Sequence, residues 1–263
     1  MNNLRTYSKV PFKVAVIHGG PGAGGEMAPV ARELAKVFGV LEPIQTAESL
    51  DGQVDELKAV LEDHGELPVT LIGFSWGAWL SFIVAAKFPF LANKLILVGC
   101  GGFEEKDGIA VKGTRLSRLD DDDKIEFENL LERMNDSESE MKDELLARLG
   151  ELVQKTDNYN PVDEESMEGD YVGRQGRIFH SVWKDAEQLR RSGVLLKLAN
   201  RIVCPVVAIH GDFDPHPSEG VKVPLSGAIK NFRFISLEKC GHKPWIEREA
   251  REKFYEILRE ECV

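Results

Sequence analysis

The sequence predicts an α/β fold: a mostly parallel sheet flanked by helices, with an inserted helical cap. Three observations predict it. Apolar, β-branched runs bounded by Gly and Pro recur at 12–18, 40–45, 68–74 and 94–99, and again at 205–210 and 232–237. Segments of helical period lie between or after them, at 26–38, 50–63, 77–88 and 194–200, and a charged amphipathic segment over 245–261 ends the chain. Strands that alternate with helices are what a parallel sheet requires, because parallel neighbours must be joined by a crossover. Finally, the strand rhythm stops between 101 and 204.

Inside that gap the apolar residues keep helical spacing. Phe127, Leu130, Leu131 and Met134 form one stripe, Met141, Leu145, Leu149 and Val153 a second, and Phe179, Val182, Trp183, Ala186 and Leu189 a third. Residues 1–100 and 191–263 therefore read as the α/β core and 101–190 as the cap. The insertion leaves after the strand at 94–99 and returns before the one at 205–210, so it is expected over the carboxyl ends of the strands, where open α/β sheets bind ligands. The four aspartates at 120–123 suit the first turn of a helix, where negative charge complements the macrodipole.

Charge narrows the partners. The 263 residues carry 44 acidic and 33 basic side chains, a net of -11. Nucleic acid and anionic membranes are disfavoured, since both are held by clustered Lys and Arg. No apolar run approaches the roughly 18 residues of a membrane span, and the first ten residues lack a signal-peptide core. Cys100, Cys204, Cys240 and Cys262 are scattered without metal-ligand or disulfide spacing, so neither a zinc site nor a cross-linked framework is expected, and a reducing cytoplasm is the expected setting. The imbalance is local: residues 101–190 hold 24 acidic and 13 basic side chains, while the rest holds 20 of each. Carboxylates turned inward from the cap would favour cationic or amine-bearing substrates; turned outward, they serve solubility.

Gly73-Phe74-Ser75-Trp76-Gly77 is a G-x-S-x-G sequence standing between an apolar strand and an apolar helix. In such a turn the glycines are steric necessities and the serine is raised above the sheet as a nucleophile. His18-Gly19-Gly20-Pro21-Gly22 follows the first strand and allows a backbone N–H to approach a developing oxyanion, so Gly20 and Trp76 are the expected donors. His18 is expected to brace that loop. A serine needs a base, and the base needs an orienting carboxylate. His242, after the strand at 232–237, is the preferred base over His216. The acid is Asp214 or Asp212, with Asp214 better placed to reach across and Asp212 better suited to cap the turn.

The two glycine-rich motifs together resemble the proline iminopeptidase branch of the α/β-hydrolase superfamily, and the similarity spans nearly all of the chain outside the insertion. The resemblance implies an α/β-hydrolase fold, Ser75 as nucleophile with Asp214 and His242, oxyanion donors at Gly20 and Trp76, and no cofactor or metal. Phe74 stands where that branch usually has Gly, the insertion is shorter than its usual cap, and the leading antiparallel strands are largely missing before Phe12. The expected activity is hydrolysis of a small ester, thioester or amide, with a small molecule or short peptide as substrate. One alternative is an aminopeptidase, which would need pocket carboxylates such as Glu104, Glu105, Asp107 or the cluster Asp163, Glu164, Glu165, Glu168 and Asp170. Another is a non-hydrolytic ligand-binding or signalling protein, or a lyase, on the same scaffold. A serine at the elbow disfavours relatives with an aspartate nucleophile.

Overall fold

The computed structural model describes residues 3–135, 142–162 and 175–262. Seven strands, β1 (Leu4–Tyr7), β2 (Phe12–Ile17), β3 (Gly39–Pro43), β4 (Val69–Phe74), β5 (Ala92–Val98), β6 (Val206–Gly211) and β7 (Phe232–Leu237), form one sheet in the order β1-β3-β2-β4-β5-β6-β7. Every neighbouring pair is parallel except β1 with β3. The helices are α1 (Ala28–Leu34), α2 (Leu50–His64), α3 (Trp76–Lys87), α4 (Glu105–Arg118), α5 (Asp121–Asn135), α6 (Lys142–Asp157), α7 (Gly176–Arg191), α8 (Val194–Lys197), α9 (Glu219–Ala228) and α10 (Arg251–Glu261).

The central strands are apolar throughout because both faces are covered. Along β2, Ala15 and Ile17 pack into the layer that contains α2 and α3, while Val14 and Val16 pack into the layer that contains α1 and α10. The same alternation runs through β4 and β5, as the two-residue period of a strand demands. Helix α3 is buried from Trp76 to Ala86, which explains why its sequence is apolar on every side.

The segment between β5 and β6 contains five described α-helices, α4 to α8. Leu119, Phe127, Leu130, Met134, Leu145, Leu149 and Leu152 form a small core of their own there. Helix α7 faces two ways: Ile178, Val182 and Ala186 belong to the core layer beside α3, while Phe179 packs against the small core of the insertion. Burial of each larger apolar side chain in α7 contributes about 1.5–3 kcal/mol to that attachment. Met141, the first residue of the second predicted stripe, lies outside the described residues.

Four elements differ from the sequence expectation. A short antiparallel strand, β1, does precede Phe12, held by the Tyr7 hydroxyl donating to Glu42 at 2.6 Å. Helix α4 has only Asp107 and Val111 buried, so it carries no apolar stripe; its available signal was a capping box, with Glu104 and Asp107 exchanging backbone hydrogen bonds. Helix α9 encloses Pro224 and two glycines, residues that argue against a helix, and forms because Val221 and Leu225 are buried against the core. The final helix begins at Arg251 rather than 245, since Pro244–Ile246 makes a separate 3-10 turn. Among the described residues, no helix is long and apolar enough to cross a membrane.

Candidate active site

Ser75 stands between the end of β4 and the start of α3 with φ 51° and ψ -113°. A non-glycine residue in the positive-φ region is strained by about 1–3 kcal/mol, and that strain persists only when the surroundings impose it. Here they do. The Ser75 N–H donates to the Val98 carbonyl at 2.9 Å, tying the turn to β5. On the other side Gly77 runs against the end of β2, where an added Cβ would fall on the Ile17 and His18 carbonyl oxygens. The tight turn therefore needs glycine at 77, as the motif predicts.

Asp214 is the centre of the charged cluster. It lies three residues past β6, fully withdrawn from water at its side chain, while Asp212 is exposed and accepts the Cys240 N–H at 3.1 Å. One Asp214 oxygen is 2.7 Å from His242 Nδ1. The other receives His216 Nδ1 at 2.8 Å and the His216 backbone N–H at 2.9 Å. The two imidazoles stack with ring centroids 4.5 Å apart, and Phe74 closes the other side of His242 at 4.8 Å. His210, with its Nε2 donating to the His216 carbonyl at 2.8 Å, is the third imidazole near the carboxylate.

These contacts set the protonation states. Burial alone would raise the Asp214 carboxyl, but His242, His216 and His210 outweigh it and hold Asp214 well below the usual carboxylate range. Burial depresses His216 to about 4 despite its bond to Asp214. For His242 burial also pulls downward, yet the charge and hydrogen bond of Asp214 prevail and raise it above its ordinary 6.5. With Asp214 ionised, both Nδ1 atoms carry protons toward it, so in the neutral imidazole of His242 the Nε2 is the unprotonated nitrogen.

A cavity of about 380 Å³ is lined by Gly20, Ser75, Trp76, His216 and His242 from the core, and by side chains from the insertion that include Arg115, Leu149 and Trp183. Gly20 has φ 71°, a conformation that favours glycine, and Trp76 is the first residue of α3, where a backbone N–H has no acceptor within the helix. His18 braces the loop before Gly20: it bonds the Gly19 carbonyl at 2.8 Å and accepts the Gln45 N–H at 3.3 Å. Asp214, His216 and His242 also bring ligand-type atoms within 4.8 Å of one another, although those imidazole Nδ1 atoms are engaged with Asp214.

Some predicted residues are elsewhere. Glu104 and Glu105 are exposed, and Asp107 is buried at the start of α4, accepting the Glu104 N–H. The acidic cluster Asp163, Glu164, Glu165, Glu168 and Asp170 lies outside the described residues. Other supports carried no sequence signal. Arg115 grips Asp157 through two hydrogen bonds, and the Asp157 carbonyl accepts the His242 N–H at 2.7 Å. The fully buried Glu247 accepts the N–H of Gly241, immediately before His242, at 2.9 Å. Asp157 acts on His242 across a long stretch of chain, and Glu247 likewise accepts the N–H groups of Tyr159 and Asn160, which local spacing cannot reveal.

No curated protein matches the chain. Among solved structures, VinJ superposes with a TM-score of 0.72 at 17% identity, over 99% of this chain and 95% of that one. A bromoperoxidase from Bacillus anthracis does so at 0.70 and 17% identity, over 98% and 93%. Est816, described as an N-acyl homoserine lactone degrading enzyme, does so at 0.64 and 14% identity, over 98% and 95%. Identities this low carry the fold alone. The family described as alpha/beta hydrolase fold matches residues 14–249, nearly the whole chain. A parallel sheet with an antiparallel first strand, a serine at the turn from β4 to α3, and an acid and a histidine after β6 and β7 fit that match, and the chain belongs to the α/β-hydrolase fold family.

Proposed function

We propose that the protein is a serine hydrolase acting on a small carboxylic ester, thioester or amide through an acyl-enzyme on Ser75. The supporting observation is the pairing of buried Asp214 with His242 at 2.7 Å, beside the cavity that the strained Ser75 lines. In this reading His242 Nε2 takes the Ser75 proton as Oγ attacks the carbonyl carbon, and Asp214 stabilises the imidazolium that forms. The N–H groups of Gly20 and Trp76 hold the oxyanion of the tetrahedral intermediate. Collapse expels the leaving group, which receives the proton from His242. Water, deprotonated by the same Nε2, then attacks the acyl carbon, and breakage of its bond to Oγ releases the acid and restores the serine. No cofactor or metal enters this sequence.

The cavity carboxylates favour an ester or thioester over an aminopeptidase substrate. Glu26 is 3.0 Å from Lys243, Asp157 is held by Arg115, and Glu187 lies 3.7 Å from Arg190, so each of the three already has a basic neighbour. A proline arylamide assayed beside a short-chain aryl ester separates the two readings, and turnover of the ester alone is expected.

A fluorophosphonate probe tests the nucleophile. Intact mass should show one adduct per chain, on the peptide that contains Ser75. Wild-type protein left unlabelled at neutral pH would remove the hydrolase reading and favour a non-hydrolytic scaffold protein or a lyase.

The pH profile tests the base. His242 must be neutral to accept the serine proton, so kcat/KM should rise with pH through an apparent value above 6.5, the ordinary value for histidine. A profile that falls between pH 6 and pH 8, about the range where histidine titrates, would contradict this. Stability has the opposite sign: the raised His242 favours the folded state at low pH, a contribution lost as pH climbs through its folded value.

A further inference from the structure

The acidic excess of the insertion does not reach the cavity. Its charged side chains on the cavity wall, among the described residues, are Lys112, Arg115, Asp157, Glu187 and Arg190, three basic and two acidic. Arg115 and Asp157 neutralise one another. Lys112 is half exposed and faces the similarly exposed Glu128 at 3.3 Å. Arg190 is different. Its side chain is only 9% exposed, and its nearest carboxylate, on Glu187, is 3.7 Å away. Its Nε is buried with no hydrogen-bond partner. The guanidinium instead lies over the Trp79 ring, 5.5 Å from its centroid.

A guanidinium has five donors in a planar fork, and burial without acceptors is costly. A ligand that brings acceptors into the cavity would remove that penalty. Trp79 lies one helical turn beyond the serine elbow, and Ser75, Trp79 and Arg190 line the same cavity, so one ligand can contact both Arg190 and Ser75. Glu187, Asp107 and Glu105 lie near Arg190, with Arg191 as the one further cation, so the site suits a ligand with one negative charge better than one with two.

We propose that Arg190 forms a carboxylate-binding subsite and that the substrates are esters or thioesters whose acyl chain ends in a carboxylate, such as half-esters of short dicarboxylic acids. The substrate class rests on the Ser75 reading; the binding of the carboxylate does not. The ligand carboxylate accepts two N–H bonds from the Arg190 fork, with the Trp79 ring behind the guanidinium.

Glutarate is the binding probe, titrated against the full chain by tryptophan fluorescence. Wild type should bind it, more weakly as salt is added, with inorganic phosphate binding less well. Arg190→Gln should weaken glutarate binding by about tenfold or more, and Arg190→Lys by less. In a kinetic arm, wild type should prefer the p-nitrophenyl half-ester of glutaric acid over p-nitrophenyl valerate by about tenfold or more in kcat/KM, and Arg190→Gln should erase the ratio. No glutarate binding by wild type, equal binding by wild type and Arg190→Gln, or a wild-type preference for valerate would each overturn the subsite. Should Arg190→Gln fail to fold, judged by its thermal midpoint, the wild-type ester ratio and the Arg190→Lys titration still decide. Arg190-dependent glutarate binding without turnover of either ester would support the subsite and count against the Ser75 reading.

Discussion

Asp214→Asn should lower kcat by about four orders of magnitude, less than the loss from Ser75→Ala, with KM changed far less. The amide keeps the shape of the carboxylate but neither its charge nor its capacity to accept on both sides. In the native protein one oxygen holds His242 Nδ1 and the other holds the side chain and backbone of His216. An Asn carbonyl can satisfy one imidazole only, and its amino group would push the other into the tautomer that carries the proton on Nε2. An imidazole so protonated cannot take a proton from serine. The loss of charge also removes what raises His242, so the residual activity should show its pH midpoint shifted downward. Steady-state kinetics across pH check this, with Asp212→Asn as comparison. That exposed residue holds only the Cys240 N–H, so its replacement should cost less than about tenfold. A damaging Asp212→Asn beside a silent Asp214→Asn would reverse the roles.

Glu247→Ala should produce the largest loss of stability, about 3–5 kcal/mol in a denaturant titration. Its carboxylate is fully buried and accepts three backbone donors: Gly241 at 2.9 Å and Tyr159 at 2.8 Å on one oxygen, and Asn160 at 2.7 Å on the other. Truncation would leave the buried Gly241 N–H and the part-buried N–H groups of Tyr159 and Asn160 without their acceptor. The same contacts bind the segment that follows α6 to the His242 loop, reinforced by the Arg248 N–H donating to the Asn160 carbonyl at 3.1 Å. Activity should therefore fall together with stability. Glu247→Gln, which keeps one acceptor oxygen, should lose less. A change below about 1 kcal/mol for Glu247→Ala would show that the loops are held by other contacts.

Much of this architecture is legible in local pattern. Six strands and the elbow follow from apolar runs and from glycines whose necessity is steric, because these signals are confined to a few neighbouring residues. The stripes at Phe127, Leu145 and Phe179 identified helices, but helical spacing says only that a face is buried, not against what. Helix α4, nearly all polar, and α9, broken by Pro224, exist because neighbouring elements support them. The acid residue shows the same limit. Asp212 and Asp214 follow the same strand two residues apart, and only the packing of β6 beside β7 directs one to His242 and leaves the other in water.

By itself the sequence determined the fold class, the strand-to-helix turn at Ser75, the chain order of the candidate serine, acid and histidine, and the confinement of the net charge to residues 101–190. Tertiary structure decided the rest: that Asp214 is shared by two histidines, that Glu247 and Asp157 hold the His242 loop, and that an insertion rich in acids turns Arg115 and Arg190 toward the cavity. The physical reason is range. Steric and periodic signals act between residues a few positions apart, whereas the sign of charge in a cavity depends on which helix faces which, and that is set by burying apolar stripes without regard to the charges beside them.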